Sequence, residues 1–167
     1  MILLGLFLKL VALKCFKAPY SMKCKNKLSK KMNIDGKCLC GQIEFKADID
    51  PTTSTICHCT DCQINSGTAF GYVVGAVNDS FKLTKGKLSF YIKTADSGAK
   101  RELAFCGSCG TRIYARPADE KPGFFGLRVG TILQKRSLHP KRQAWKRSCL
   151  DFVELIETEQ IFETQPR

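Results

Sequence analysis

Three short cysteine clusters constrain the fold of this 167-residue chain more than any other feature, because they contain seven of its ten cysteines. Such a high cysteine count indicates either a disulfide framework or metal ligation in a reducing compartment. Two cysteines separated by a single residue rarely reach disulfide geometry with each other, and the N-terminal sequence matches a secretion signal poorly. The spacing therefore favours metal ligation by Cys38-Leu39-Cys40, by Cys57-His58-Cys59-Thr60-Asp61-Cys62 and by Cys106-Gly107-Ser108-Cys109.

The first and third clusters together offer four thiols, which is the usual ligand number of a structural zinc site. The turn between Cys106 and Cys109 contains glycine, which relaxes the backbone so that both sulfurs can face one ion. Cys38 and Cys40 could supply the other pair, and the shared ion would then close a long loop of chain. We expect a four-cysteine zinc site here, and a pair of disulfides is the alternative.

The middle cluster differs because Cys57, Cys59 and Cys62 offer an odd number of thiols. Catalytic zinc is usually held by three protein ligands with the fourth position open. Three thiolates make the ion electron-rich, so such a centre suits the binding of another thiol better than the activation of water. The ring of His58 is expected to point away from the sulfurs, where it packs or forms a hydrogen bond. The alternative is a closed structural site completed by His58, His139 or Cys149.

The remaining pattern predicts many short strands and no long helix. Residues 42–49 alternate between apolar and polar, and Asp50-Pro51 is expected to end this strand. A hairpin is predicted around the third cluster, whose turn forms its tip. These elements predict an all-β or β-dominated fold. Further strands are predicted at residues 69–77, 81–83, 88–92, 101–105, 111–115, 124–132, 143–147 and 152–156.

The positive charge is concentrated near the N-terminus. The chain has a formal net charge of +12, but eight lysines and no acid lie in residues 1–31, which leaves about +4 for the rest. This distribution weakens a nucleic-acid interpretation of the domain. The apolar run 1–13 is shorter than the roughly 20 residues of a membrane-spanning helix. We expect a disordered or weakly membrane-associated extension at 1–31, a zinc domain at 32–160, a tail at 161–167, and a cytoplasmic location.

The three clusters, taken in this order with their flanking residues, resemble the glutathione-dependent formaldehyde-activating (GFA) family, which includes the centromere protein V branch. The resemblance covers roughly residues 34–156. It is carried by Gly36-x-Cys38-x-Cys40-Gly41-x-Ile43, by Cys57-His58-Cys59-x-x-Cys62-Gln63 with Ser66-Gly67 and Phe70, by Phe105-Cys106-x-x-Cys109-Gly110-Thr111, by Val129-Gly130-Thr131, and by residues 140–152 with Trp145.

The resemblance implies a compact β fold of the Mss4-like type with two zinc ions per chain. The family's named activity joins glutathione and formaldehyde into S-hydroxymethylglutathione, formally a carbon–sulfur lyase reaction run in reverse. The expected partners are therefore a small thiol, glutathione, and a small aldehyde. By resemblance, the structural zinc is held by Cys38, Cys40, Cys106 and Cys109, and a second zinc, available to glutathione, by Cys57, Cys59 and Cys62.

One departure from the family concerns the C-terminal part, where many members look more apolar than this chain. The basic side chains there could contact glutathione carboxylates or an acidic partner, or could form a solvated basic face. Other functions also remain open, namely a non-catalytic zinc module that binds protein or chromatin, and a protein steered to a membrane surface by its extension. The basic residues are Lys141, Arg142, Lys146 and Arg147.

Overall fold

The computed structural model describes residues 31–77, 79–95, 97–119 and 123–166, and these residues form ten strands and one short helix. The predicted β-dominated fold is confirmed. The predicted extension at 1–31, with Cys15 and Cys24, lies outside the described residues except for Lys31. The elements are β1 (Met32–Lys37), β2 (Glu44–Cys57), α1 (Thr60–Ser66), β3 (Gly71–Ala76), β4 (Lys82–Lys85), β5 (Leu88–Thr94), β6 (Lys100–Cys106), β7 (Arg112–Pro117), β8 (Gly126–Arg128), β9 (Arg142–Ala144) and β10 (Gln160–Ile161).

The ten strands form one sheet in the order β10-β9-β2-β3-β8-β7-β6-β5, and both β1 and β4 pair with β2 outside this path. Most neighbouring strands are antiparallel, but β9 runs parallel to β2 and β10 runs parallel to β9. The register places Ala144 of β9 opposite Cys57, the last residue of β2. The C-terminal part of the chain therefore lies directly beside the start of the middle cysteine cluster.

The core is built on the alternation predicted for residues 42–49. The side chains of Ile43, Phe45, Ala47 and Ile49 are all buried and belong to one apolar cluster. The ring of Phe45 packs so closely on Gly36 that a Cβ atom there would lie 2.1 Å from the ring. Glycine is thus required at this position of β1 for the two strands to pair over a large aromatic side chain.

The prediction that Asp50-Pro51 ends the first long strand is wrong. β2 continues to Cys57, and its register against β3 shifts between Asp50 and Thr55. Proline, which has no amide N–H, is tolerated in a sheet at such an irregularity. The Thr52 amide donates to the Asp50 carboxylate over 3.0 Å. One continuous strand therefore connects the core to the middle cluster.

The predicted hairpin around the third cluster is confirmed, since β6 and β7 are antiparallel neighbours. The predicted strand at 124–132 is shorter than expected: β8 covers only Gly126–Arg128, and a 3₁₀ turn follows at Val129–Thr131. The strand predicted at 143–147 ends early, because Trp145 adopts a left-handed conformation with φ of 61°. No helix in the described part of the chain is long and apolar enough to cross a membrane.

The C-terminal segment also differs from expectation. Residues 152–156 form no strand, and the pairing occurs later, in β10. The predicted domain boundary at residue 160 falls inside β10, and backbone hydrogen bonds continue beyond it. The Phe162 amide donates to the Gln143 carbonyl over 2.8 Å, and the Trp145 amide donates to the Thr164 carbonyl over 3.2 Å. Residues 162 and 164 are therefore hydrogen-bonded to the chain at and after β9, although they lie beyond the predicted boundary at residue 160.

Candidate metal centres

The first candidate centre, the four-cysteine cluster, consists of Cys38, Cys40, Cys106 and Cys109, and the structure brings all four sulfurs within 4.8 Å of one another. The Cys38 and Cys40 sulfurs are 3.5 Å apart, and those of Cys40 and Cys106 are 3.8 Å apart. A zinc ion bound by sulfurs at about 2.3 Å in a tetrahedron separates them by about 3.8 Å. The spacing of these sulfurs therefore fits a zinc ion.

Hydrogen-bond donors contact two sulfurs of the four-cysteine cluster and favour the thiolate forms of Cys38 and Cys109. The Ile43 amide donates to the Cys38 sulfur over 3.2 Å, and the Thr111 hydroxyl lies 3.1 Å from the Cys109 sulfur. The hydrogen bond from Thr111 is the main reason that the pKa of Cys109 is lowered to about 5. Since thiolates are the metal ligands, these two cysteines are suited to binding a cation.

The second candidate centre, the three-cysteine cluster, consists of Cys57, Cys59 and Cys62, whose sulfurs also lie within 4.8 Å of one another. Cys57 is the last residue of β2, and Cys59 is the N-cap of α1. The Cys59 sulfur accepts a hydrogen bond from the Cys62 amide over 3.3 Å, which fixes the turn between these ligands. The Cys57 and Cys59 sulfurs are 3.5 Å apart, again compatible with zinc.

No fourth metal-binding side chain joins the three-cysteine cluster among the described residues. The ring of His58 is buried, its Nε2 lies 2.9 Å from Gln143 Oε1, and it packs edge-on against Phe70. The prediction that His58 packs and forms a hydrogen bond is therefore confirmed. His139 is exposed, and the Cys149 sulfur contacts backbone oxygens. None of the three residues proposed to close the site does so in this part of the chain.

Charge within the three-cysteine cluster is concentrated on Cys62. Hydrogen bonds from the thiols of Cys57 and Cys59, with a smaller contribution from Arg128, hold the pKa of Cys62 well below its usual value. The same contacts raise the pKa of Cys57, because its thiol donates to its neighbours and is buried.

Arg128, which the sequence analysis did not single out, lies close to the Cys62 sulfur, and the charge on Cys62 also acts on Arg101. The Nη1 atom of Arg128 is 4.0 Å from the Cys62 sulfur. Burial lowers the pKa of Arg101, and the charge on Cys62 partly opposes that change. Arg128 could have been noticed in the sequence, because it directly precedes the Val129-Gly130-Thr131 motif. No local pattern marks Arg101.

Gly71, the first residue of β3, makes the approach of Arg128 possible. A Cβ atom at this position would lie 2.7 Å from Arg128 Nη1 and 3.3 Å from the Cys62 sulfur. Any larger residue would therefore displace the guanidinium or press on the Cys62 sulfur. The absence of a side chain at residue 71 leaves the space in which the arginine meets the cluster.

The loop of the three-cysteine cluster is tied to the C-terminal part of the chain by buried polar contacts. The side-chain amide of Gln63 donates to the carbonyls of His58 and Ser148 over 2.8 and 2.9 Å. The His58 amide donates to the Ala144 carbonyl over 3.0 Å. Contacts of this kind orient metal ligands.

The basic residues near the C-terminus have partners within the chain. Lys141 pairs with Glu159 at 2.7 Å, and Lys146 pairs with Glu163 at 3.1 Å. The guanidinium of Arg147 lies 4.9 Å from the ring centre of Trp145. These contacts within the chain agree with the solvated-face interpretation for Lys141, Lys146 and Arg147.

An open groove of about 700 Å³ borders both candidate centres. Cys38 and Cys109 of the four-cysteine cluster line one part of it. Gly71 and Arg128, which contact Cys62, line another part. The groove therefore passes from the first centre to the immediate surroundings of the second.

The fold and the two candidate centres define a class of protein: β-sheet proteins with two cysteine clusters compatible with zinc. The sequence model of the family described as glutathione-dependent formaldehyde-activating enzyme matches residues 33–148. The chain belongs to this GFA family. A crystal structure of a Rhodobacter sphaeroides protein is also similar, with 19% identity and a TM-score of 0.48, over 62% of this chain and 89% of that chain.

Proposed function

We propose that this protein is a zinc-dependent carbon–sulfur lyase of the GFA type, in which glutathione or a similar thiol adds to a small aldehyde such as formaldehyde. The reverse reaction releases the thiol. The observation that carries the proposal is the three-cysteine cluster, which has no fourth protein ligand among the described residues. Three protein ligands and one open position are typical of catalytic rather than structural zinc.

The two clusters have separate roles in this proposal. Cys38, Cys40, Cys106 and Cys109 hold a structural zinc, and Cys57, Cys59 and Cys62 hold the second zinc. When bound at the second cluster, zinc would lower the pKa of a substrate thiol and keep it as a thiolate at neutral pH. Thiolate ligands must stay reduced, so we also propose that the protein works in the cytoplasm.

The side chains around the three-cysteine cluster supply the electrostatic part of the reaction. The substrate sulfur attacks the aldehyde carbon, a carbon–sulfur bond forms, and the carbonyl electron pair moves to the oxygen. Arg128, 4.0 Å from the Cys62 sulfur, provides positive charge where this oxyanion develops. A proton from solvent then completes the hydroxymethyl thioether. In the reverse direction the proton leaves, the carbon–sulfur bond breaks and the thiolate is released.

The exchange of formaldehyde between its free and glutathione-bound forms, measured by NMR, tests this proposal. The zinc-loaded protein should accelerate the exchange above the spontaneous rate. Cys59→Ser should reduce the acceleration to background and remove one of two zinc ions, whereas Cys149→Ser should retain both properties. Because serine can also cap a helix, α1 should survive the Cys59→Ser change. Unchanged zinc content and turnover in Cys59→Ser would refute the proposal and favour the non-catalytic zinc module.

A further inference from the structure

We propose that the groove bordering the two centres is an anion-binding groove, formed by Lys37, Arg112, Arg128 and Lys135, that selects thiols carrying carboxylates over neutral thiols. This inference rests on the proposed function, because it takes the thiol to bind at the three-cysteine cluster. It adds the residues that determine which thiols are accepted.

The groove is lined by charged amino acids that are all cationic, and its acidic side chains are the thiols of Cys38 and Cys109 and the phenol of Tyr72. It contains four cationic side chains and no aspartate or glutamate. The four cations come from distant parts of the chain, since they belong to the end of β1, the start of β7, the end of β8 and the 3₁₀ turn at Lys135–Ser137. The fold therefore brings together four cationic side chains that are far apart in the sequence.

None of these four cations has a carboxylate partner in the described part of the chain. Arg112 lies over the ring of Phe105, with 4.9 Å to its centre, and Lys135 donates to the Gly130 carbonyl over 3.2 Å. Neither contact involves a carboxylate, and Arg128 lies beside the Cys62 sulfur. Elsewhere, carboxylates pair with cations outside the groove: Asp35 with Lys46, Glu44 with Lys85, Asp61 with Lys93, Glu102 with Arg116, Glu159 with Lys141, and Glu163 with Lys146.

Like charges around one concave surface repel each other unless an anion occupies it, so this arrangement attracts anionic ligands. Guanidinium groups match carboxylates with two parallel hydrogen bonds, and two of the four cations are arginines. The volume of about 700 Å³ is within the range of small-molecule sites, about 300–1,000 Å³. A small-molecule ligand that carries carboxylates thus suits the groove in both charge and size.

Arg128 connects the groove to the site of reaction. It lines the groove, and its Nη1 atom is 4.0 Å from the Cys62 sulfur. Gly71, which also lines the groove, leaves the space that this contact needs. A carboxylate held by Lys37, Arg112 or Lys135 would therefore keep the rest of the same ligand beside the three-cysteine cluster.

Two analogues of glutathione separate the contribution of the groove from that of the metal. S-methylglutathione retains both carboxylates but cannot form a thiolate, and glutathione diethyl ester retains the thiol but has neither carboxylate. Calorimetry with the full-length zinc-loaded protein should detect binding of S-methylglutathione. The diethyl ester should bind about tenfold or more weakly than glutathione, the loss expected for one or more charge-assisted hydrogen bonds.

Substitutions test the residues. Arg128→Gln and Lys135→Gln should each weaken S-methylglutathione binding about tenfold. Lys82→Gln changes the net charge by the same amount as Lys135→Gln on an exposed part of β4 outside the groove, and it should bind like the unaltered protein. Lys135 is itself exposed, so its variant should fold normally. If Arg128→Gln and Lys135→Gln bind S-methylglutathione as tightly as Lys82→Gln and the unaltered protein do, the proposal is overturned.

The two proposals fail in different ways. If the spectrum of the cobalt-loaded protein responds to glutathione and to its diethyl ester at equal concentrations, the thiol site stands and the anion-binding groove is wrong. If no thiol alters the spectrum but S-methylglutathione still binds and Arg128→Gln weakens that binding, the groove stands and the proposed lyase function is wrong.

Discussion

The two cysteine clusters use the same ligand atom but are assembled in different ways. The four-cysteine cluster joins the segment after β1 to the β6–β7 hairpin, more than sixty residues later, as the Cys40–Cys106 contact shows. The three-cysteine cluster is local, with all its ligands between Cys57 and Cys62. A centre that joins distant segments stabilises the fold, whereas a local centre on one loop can leave a coordination position for a ligand.

The surroundings of the four-cysteine and three-cysteine clusters also differ. Two cysteines of the four-cysteine cluster, Cys38 and Cys106, are almost fully buried, and an amide and a hydroxyl contact its sulfurs. The three-cysteine cluster instead has Arg128 close to Cys62 and a space maintained by Gly71. Cys40 of the first cluster is exposed and Cys38 and Cys109 line the groove, whereas the second cluster meets the groove through Gly71 and Arg128.

The largest expected effect comes from Cys106→Ser. Structural zinc supplies on the order of 10 kcal/mol of apparent folding free energy in small domains, comparable with the whole stability of a domain, about 5–15 kcal/mol. We therefore expect this variant to lose its cooperative unfolding transition in circular dichroism. Cys59→Ser is the matched comparison and should retain the transition. A Cys106→Ser variant with near-normal stability would contradict the structural role of the four-cysteine cluster.

A smaller effect is expected for Gln63→Ala, which removes the two hydrogen bonds to the carbonyls of His58 and Ser148. Loss of a residue that orients metal ligands typically costs about 10–100-fold in metal affinity. Competition with a chelator should show this loss at the second zinc only. Weakened binding of both zinc ions would instead mean that Gln63 supports the fold in general.

Gly71→Ala should have the smallest effect of the three. The added methyl group would displace Arg128 while all cysteine ligands remain, so we expect turnover to fall about tenfold, the cost of losing one charge-assisted contact, with two zinc ions still bound. Gly130→Ala is a suitable control, because nothing lies within 4 Å of a Cβ atom there. Normal turnover in Gly71→Ala would show that the position of Arg128 does not matter for the reaction.

The features that the sequence predicted are those with a local pattern. The cysteine spacing predicted both clusters, and the alternation of Ile43, Phe45, Ala47 and Ile49 predicted the core face of β2. The helix α1 was not predicted, because seven residues are too few to show a helical period. Its position is set by the Cys59 cap and the metal-ligand turn rather than by an apolar stripe.

Features that depend on tertiary packing could not be predicted. The continuation of β2 past Pro51 requires a partner strand that accommodates the irregular register. The parallel pairing of β9 with β2 joins segments about 85 residues apart, as the contact of Gln143 with His58 illustrates. The approach of Arg128 to Cys62 likewise results from the packing of the sheet, although Arg128 directly precedes the Val129-Gly130-Thr131 motif.

The most direct test of the difference between the clusters is the visible spectrum of the full-length protein loaded with cobalt, recorded before and after addition of glutathione. The account predicts two cobalt ions per chain with strong sulfur charge-transfer bands. Glutathione should alter the bands of one ion, and this response should vanish in Cys59→Ser while the other ion remains. Two ions whose bands do not change over a wide range of glutathione concentration would contradict the open three-cysteine site.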